Sequence, residues 1–243
     1  MAGSVFFCIF AALYDFILHF YTLKVLNTLK KMKELSDFIA TKLLKMKAIK
    51  IQPNNPFEWG NGWISPIYFD SRKILSYPLV RCQIKVELAR VLIETYPDVE
   101  CIAAVAPNAI AIGYSVAEEL GLPFVYVHGR PKDHGLENCI EGDLRPRQKV
   151  VIVEDQVSEG KYCTKVQDAL RKDGSIVLGM ISIFDYELTI GQQHLKKNAL
   201  QNRSLTCFNS IINYAILSGV LSPENEEIVR AWQRAPQDWK KKK

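Results

Sequence analysis

From about residue 82 onward, short apolar runs alternate with segments whose apolar residues recur at helical spacing. Val150-Val151-Ile152-Val153 is an uninterrupted apolar run that ends at an acidic pair, which is typical of a strand buried on both faces of a parallel sheet. Strands that alternate with helices predict parallel pairing through right-handed crossovers, and therefore one α/β domain. The pattern predicts strands at 101–106, 124–128, 149–153 and 176–184, and helices at 33–46, 82–96, 110–120, 161–172, 192–200, 208–217 and 223–233.

Residues suited to a phosphorylated sugar follow this apolar run. Glu154 and Asp155 stand at the carboxyl end of the predicted strand, where open α/β sheets bind ligands. A turn through Ser158 and Gly160 leads into the helix predicted from Lys161, and the unpaired N–H groups of a helix N-terminus favour phosphate. The carboxylates would then face ribose hydroxyls. An ordinary strand–turn–helix unit, in which the acidic residues only cap the helix, explains these residues equally well.

A polar connection of about twenty residues joins the strands predicted at 124–128 and 149–153, and loops of that length are usually functional or disordered. Lys132 and His134 lie two residues apart in it. Both side chains can donate to a phosphate or pyrophosphate oxygen, so the loop could close over an anionic substrate. The alternative is a solvated surface loop whose charges are incidental.

A stretch rich in glycine and aromatic residues, 57–72, adds a third motif, in which Ser65-Pro66 forces an extended backbone. Together the motifs resemble the orotate phosphoribosyltransferase family, and the resemblance spans about residues 32–239. The resembling segments are Ser65-Pro66-Ile67-Tyr68 with Asp70 and Arg72, Leu75-Ser76-Tyr77-Pro78, Ala117-Glu118-Glu119-Leu120-Gly121-Leu122-Pro123, Lys132-Asp133-His134-Gly135, Glu154-Asp155 and the closing stretch 232–239.

The resemblance implies a type I phosphoribosyltransferase fold, with a mainly parallel central sheet flanked by helices and a small N-terminal hood. It also implies a pentosyltransferase of pyrimidine (UMP) biosynthesis. This enzyme would convert orotate and phosphoribosyl pyrophosphate to orotidine 5′-monophosphate and pyrophosphate. The transition state of such a transfer resembles an oxocarbenium ion with negative charge growing on pyrophosphate. Catalysis then depends on positioning and electrostatic stabilisation.

Residue roles follow from the resemblance. Lys132, His134 and Asp155 take the catalytic role, and Mg²⁺ would be held near Glu154 and Asp155 indirectly, through the substrate. The loop that carries Lys132 commonly crosses into the neighbouring subunit in this family, which implies a homodimer. The implied substrate contacts are His128, Lys132, His134, Glu154, Asp155, Gln156, Val157, Ser158, Glu159, Gly160, Lys161 and Tyr162.

The sequence departs from the family pattern in the phosphate-binding turn. Glu159, Lys161 and Tyr162 stand where small or hydroxyl residues are usual. A carboxylate about 5 Å from a phosphate would cost roughly 3 kcal/mol at an effective dielectric constant near 20, or about a hundredfold in affinity. His128 replaces a usual Arg and Ile64 a usual Lys, so cationic contacts are missing. The usual Arg for orotate is also absent near 185–187.

Three functions remain open on these residues. The first is an active, divergent orotate phosphoribosyltransferase. The second is a non-catalytic binding or regulatory protein that kept the fold and lost the phosphate-binding turn. The third is a phosphoribosyltransferase for another base, against which the Ser65-Pro66-Ile67-Tyr68 segment argues. The motif set favours the first.

Composition narrows the class further. A chain of 243 residues can bury the core of one α/β domain, and a net charge of +5 is too small to predict nucleic-acid binding. The six cysteines are scattered without a C-x-x-C pair, which favours reduced thiols in the cytoplasm over disulfides or a zinc site.

The N-terminus differs in character. Residues 4–20 are almost wholly apolar but contain Asp15 and His19, and the run is short for a membrane span. It lacks the basic region and cleavage site of a secretory signal. We predict that residues 1–31 are an apolar extension outside the catalytic fold, that 32–240 form the phosphoribosyltransferase domain, and that 241–243 are a basic tail. A membrane anchor on a cytoplasmic enzyme is the less favoured alternative.

Overall fold

The computed structural model describes residues 27–129 and 139–239. The first helix, α1, is described over residues 27–45, so it continues through the predicted domain boundary at Met32. Residues 1–26 of the predicted extension (1–31) lie outside the described residues, as do residue 240 and the predicted tail (241–243), and the domain limits stay a prediction. Within the described ranges, no helix combines the length and apolar character needed to cross a membrane.

The remaining elements alternate as the hydrophobic pattern predicts. In chain order they are β1 (Ile49–Ile51), β2 (Phe57–Glu58), β3 (Ile64–Ser65), β4 (Ile67–Phe69), a 3-10 helix (Ser71–Ser76), α2 (Pro78–Thr95), β5 (Cys101–Val105), α3 (Ile110–Leu120), β6 (Phe124–Val127), β7 (Ile140–Glu141), β8 (Lys149–Val157), α4 (Lys161–Lys172), β9 (Ile176–Asp185), α5 (Thr189–Lys197), β10 (Asn202–Cys207), α6 (Phe208–Leu217) and α7 (Pro223–Arg234).

Six strands form the central sheet, in the order β10-β9-β8-β5-β6-β7. All neighbours pair in parallel except β6 and β7, so the predicted α/β class is confirmed. The apolar run at 150–153 lies in the middle of the sheet with its four side chains fully buried. That burial on both faces explains why β8 has no alternation of apolar and polar residues.

The strand order reverses direction between β8 and β5. The crossover from β5 leads outward to β6, whereas the crossover from β8 leads the other way to β9. Right-handed connections therefore carry α3 and α4 to opposite faces, and a crevice opens where the order reverses, at the carboxyl ends of β5 and β8. This is where the sequence places its acidic pair.

The structure adds strands that the sequence pattern did not predict. The edge strand β10 has the sequence Asn-Arg-Ser-Leu-Thr-Cys, whose polar residues hide its pairing with β9. The hood consists of two small antiparallel pairs, β1 with β4 and β2 with β3. Strand β8 also runs four residues further than predicted, through Glu154 to Val157. Helix α2 begins at Pro78 rather than at residue 82, because proline fits the first turn of a helix.

An aromatic cluster fastens the hood to the rest of the molecule. Trp59, at the end of β2, makes edge contacts with Tyr186 after β9 and with Trp232 of α7, at ring-centroid distances of 4.9 Å and 5.5 Å. Phe208, at the start of α6, also packs against Trp232, at a ring-centroid distance of 6.2 Å. Trp232 is fully buried. The C-terminal helix thus forms part of the support beneath the hood.

Candidate functional site

Asp155 lies at the crevice where the strand order reverses. It is almost fully buried, and its Oδ2 accepts a 2.5 Å hydrogen bond from the Ser71 hydroxyl of the 3-10 helix. The next residue of that helix, Arg72, is exposed and pairs with Asp70 at 2.8 Å. The predicted sugar-binding carboxylate therefore meets a hydroxyl donor from the hood side of the sheet. No local pattern points to Ser71, because its partner is 84 residues away.

Glu154 has a different environment, because successive side chains of a strand point to opposite faces. Its Oε2 accepts a 3.6 Å hydrogen bond from the buried thiol of Cys163 in α4, and its Oε1 accepts one of 2.9 Å from the Asp155 amide. Burial, reinforced by the neighbouring charge of Asp155, raises the pKa of Glu154 well above its usual range. The two acids are adjacent in the chain, but their side chains point to opposite faces of the sheet and have different hydrogen-bond partners.

The predicted phosphate-binding turn, residues 156–162, joins β8 to α4. Val157 ends the strand and is buried, while Gln156 and Ser158 are half-buried. Gly160 precedes α4 with φ of +70°, a left-handed conformation that glycine adopts without steric cost. The turn presents the N-terminus of α4, whose first N–H groups have no partner within the helix. These unpaired N–H groups suit an anion, and the phosphate site stays a prediction.

The side chain of Glu159 is held on both of its oxygens. Oε1 accepts a 2.8 Å bond from Lys161 Nζ, and Oε2 accepts a 2.9 Å bond from the amide Nδ2 of Asn61 in the hood. Burial alone would raise the pKa of Glu159, but the hydrogen bonds from Lys161 and Asn61 outweigh it and lower that pKa. The carboxylate is thus ionised and paired, which reduces the repulsion that an isolated charge would exert on a phosphate.

Tyr162 braces the ends of two strands. Its hydroxyl accepts a 2.8 Å hydrogen bond from the Gly129 amide after β6 and donates at 3.2 Å to the Ala106 carbonyl after β5. A Cβ atom at Gly129 would lie 2.2 Å from the Tyr162 ring, so the close approach requires glycine there. The ring therefore packs against the strand ends, and its bulk is accommodated.

We expect Tyr162→Phe to lower the free energy of unfolding by about 1–2 kcal/mol, because the Gly129 amide loses its acceptor. Urea denaturation would measure the change. Tyr114→Phe, at an exposed ring on α3, is the matched control and should change the free energy by less than about 0.5 kcal/mol. Equal effects of the two substitutions would show that the brace contributes nothing to stability.

An aromatic pocket of about 300 Å³ opens beside the phosphate-binding turn. It lies between the hood and the end of β8, and aromatic rings and side-chain amides line it. Its residues are Trp59, Gly60, Asn61, Tyr68, Gln156, Ser158, Glu159 and Tyr186. The sequence did not single out Tyr68 or Tyr186 as pocket residues, although Tyr186 follows a strand end. No Lys or Arg is among the described residues that line this pocket.

Three further residues were predicted to contact the substrate: His128, Lys132 and His134. His128 follows β6, with its amide bonded to the Cys139 carbonyl at 2.7 Å, and its buried Nε2 has no hydrogen-bond partner among the described residues. Its ring contacts Tyr126 at a centroid distance of 5.7 Å. Lys132 and His134 lie outside the described residues. The structure therefore brings together Asp155, the turn and the hood, and does not describe the two predicted loop cations.

Known proteins provide an independent comparison. No family model matches the sequence. An orotate phosphoribosyltransferase of Porphyromonas gingivalis is 50% identical over 208 residues, which are 86% of this chain and 99% of that relative. Among solved structures, a Leishmania donovani UMP synthase has a TM-score of 0.69 at 25% identity, covering 82% of this chain and 42% of the other.

The fold comparison extends to a second solved structure. An orotate phosphoribosyltransferase from Aeropyrum pernix has a TM-score of 0.64 at 23% identity and covers 72% of this chain and 97% of its own. The type I phosphoribosyltransferase fold predicted from the motifs is therefore confirmed. Identity of 50% along nearly the whole of a relative, together with this fold, shows that the chain belongs to the orotate phosphoribosyltransferase family.

Proposed function

We propose that this protein transfers the phosphoribosyl group of phosphoribosyl pyrophosphate to orotate, which makes it a pentosyltransferase of pyrimidine (UMP) biosynthesis. The observation that carries the proposal is the continuity of the aromatic pocket with the phosphate-binding turn, since Gln156, Ser158 and Glu159 belong to both. A flat base in the pocket and a phosphate at the start of α4 would place the ribose between them, near Asp155.

The ribose and phosphate are assigned to the residues that follow the core of β8. Asp155 would accept hydrogen bonds from the ribose hydroxyls, and the amides of the turn from Ser158 to Lys161 would meet the 5′-phosphate. Glu154 would support Asp155 from within the core, where burial favours the neutral form of the Glu154 carboxyl group. Val157, Gly160 and Tyr162 would shape the turn, with their backbone groups nearest to the phosphate.

Mg²⁺ is the metal that we propose for the reaction. The described residues contain no group of three or more potential metal ligands, but the carboxylate of Asp155 at the crevice fits an ion that takes most of its ligands from substrate oxygens and water. Asp155 and Glu154 would then hold the metal only through the substrate. When bound, Mg²⁺ would neutralise the negative charge that grows on pyrophosphate.

The leaving group is assigned to the long loop. Lys132 and His134 would donate to pyrophosphate oxygens, and His128 stands where that loop begins. We propose a homodimer in which this loop reaches the neighbouring subunit's site. We also propose that residues 32–240 form the catalytic domain, that 1–31 lie outside it, and that the enzyme acts in the cytoplasm.

Orotate recognition would depend on neutral donors and ring contacts. Trp59 and Tyr186 offer aromatic faces or edges to the pyrimidine. The amide group of Gln156 lies in the same pocket and can donate to a carbonyl or carboxylate oxygen of the base. This set of contacts would replace the arginine that the family usually provides.

The test is to incubate the full chain with orotate, phosphoribosyl pyrophosphate and Mg²⁺. Turnover is measured as the loss of orotate absorbance. We expect Asp155→Asn and Lys132→Ala each to lower kcat/KM by about a hundredfold or more, because each removes a charge that acts in the transition state. Asp168→Asn, on the exposed face of α4, is the matched control and should leave kcat/KM unchanged.

Failure of the folded wild-type protein to turn over orotate would overturn the proposal. Phosphoribosyl pyrophosphate binding without turnover would then favour the non-catalytic alternative, in which the altered turn retains a ligand but no longer supports chemistry. Turnover of a different base would favour the third alternative.

A further inference from the structure

The hairpin of the hood ends in a turn that fixes the direction of one side chain. The Trp59 amide donates to the Trp63 carbonyl at 2.8 Å, and the Gly62 amide donates back to the Trp59 carbonyl at 2.8 Å. Within this turn, Asn61 Oδ1 accepts a 3.0 Å bond from the Trp63 amide. Because the oxygen of the Asn61 side chain is held by its own turn, the amide Nδ2 is directed outward.

That amide meets the phosphate-binding turn across 98 residues of sequence. Asn61 Nδ2 donates to Glu159 Oε2 at 2.9 Å, while Lys161 occupies Oε1. Only 17% of the Glu159 side chain is exposed, against 55% for Lys161. Asn61 is itself exposed, so the Glu159 carboxylate is the sheltered partner of both bonds, and it lines the aromatic pocket together with Asn61.

We propose that Asn61 and Glu159 form a latch that holds the hairpin over the aromatic pocket, and that Asn61 is a positioning residue for the base substrate. The inference rests on the proposed function and extends it to Glu159, one of the residues that depart from the family pattern. Glu159 thereby gains a role: it orients the hood through Asn61. Lys161 balances its charge, so that an anionic base does not meet an unpaired carboxylate.

The latch predicts an asymmetric effect on the two substrates. Asn61→Asp keeps the size of the side chain but sets a carboxylate against Glu159. We expect the KM for orotate to rise about tenfold or more, since a hydrogen bond to a charged group is lost and a repulsion is added. The KM for phosphoribosyl pyrophosphate should change less than threefold. Asn54→Asp, an exposed change before the hairpin, is the control for added charge and should alter neither KM.

A reciprocal variant makes the test specific. Asn61→Asp combined with Glu159→Gln exchanges the donor and the acceptor, so the amide of residue 159 can donate to the new carboxylate. We expect the double variant to recover the KM for orotate to within about threefold of the wild-type value. Failure of this recovery, or an equal rise in both KM values for Asn61→Asp, would overturn the latch.

A readout without turnover separates the latch from the proposed function. Trp59 and Trp63 flank the turn and are half-buried, so opening of the hairpin should increase acrylamide quenching of tryptophan fluorescence. Quenching should rise in Asn61→Asp, return in the double variant and stay unchanged in Asn54→Asp. If the wild-type protein shows no turnover but the quenching follows this order, the latch stands and the proposed reaction fails. Unchanged quenching in Asn61→Asp rejects the latch whatever the activity.

Discussion

Gly191→Ala is expected to lower kcat/KM for phosphoribosyl pyrophosphate by about a hundredfold, because displacement of a positioned group by about 1 Å has that effect. An added Cβ at residue 191 would lie 2.0 Å from the carbonyl oxygen of Ser158, a distance that the backbone cannot accept. Gly191 lies in α5, which packs against the phosphate-binding turn, and it is itself buried. Either the helix or the turn must therefore move.

The same overlap should reduce stability. Overpacking costs about 1–3 kcal/mol, which corresponds to a fall in Tm of roughly 2–12 °C for a domain of this size. Gln192→Ala, at the next and exposed position of α5, is the control and should leave both Tm and kcat/KM close to the wild-type values. An active Gly191→Ala protein with an unchanged Tm would mean that α5 does not contact the turn as described.

Trp232→Ala should cause a large loss of stability, about 3–5 kcal/mol, with a fall in Tm of roughly 6–20 °C. The side chain is fully buried and contacts Trp59, Tyr186 and Phe208. Its indole Nε1 has no hydrogen-bond partner among the described residues, so the lost free energy comes from apolar contacts and the resulting cavity. Thermal and urea unfolding would measure it.

Trp232→Phe is the informative comparison. It keeps an aromatic ring in the cluster and removes an unpaired N–H group, so we expect a loss well below that of Trp232→Ala. Because Trp59 lies both in this cluster and in the aromatic pocket, Trp232→Ala should also raise the KM for orotate in the fraction that stays folded. Similar stability of the alanine and phenylalanine variants would contradict this account of the cluster.

The parts of the fold that the sequence predicted are those set by local pattern. The apolar run of β8 and the helices at 110–120, 161–172 and 208–217 match the structure residue for residue or nearly so. In each of these elements, the burial of a whole face of the helix or strand determines where the apolar residues stand in the sequence. Strand β10 was missed because pairing with β9, and not its own polar sequence, makes it a strand.

The site was predictable only in outline. The sequence indicated Asp155 and the turn after β8 as candidate site residues, because a carboxylate and a glycine after a buried strand have a recognisable order, and their roles stay predictions. It did not find the partners of those residues. Ser71 and Asn61 reach the site from the hood, and the need for Gly191 arises solely from the backbone of Ser158. Contacts between distant segments have no local sequence pattern.

The aromatic cluster has a consequence for the order of events during synthesis. Trp59 leaves the ribosome about 170 residues before Trp232, which at 5–20 residues per second is roughly 9–35 s. Until α7 has emerged, Trp59 lacks the Trp232 ring, one of the rings on which it packs. The aromatic pocket can therefore be completed only when nearly the whole chain is available, so a nascent chain that stops before α7 should have its sheet but not its finished pocket.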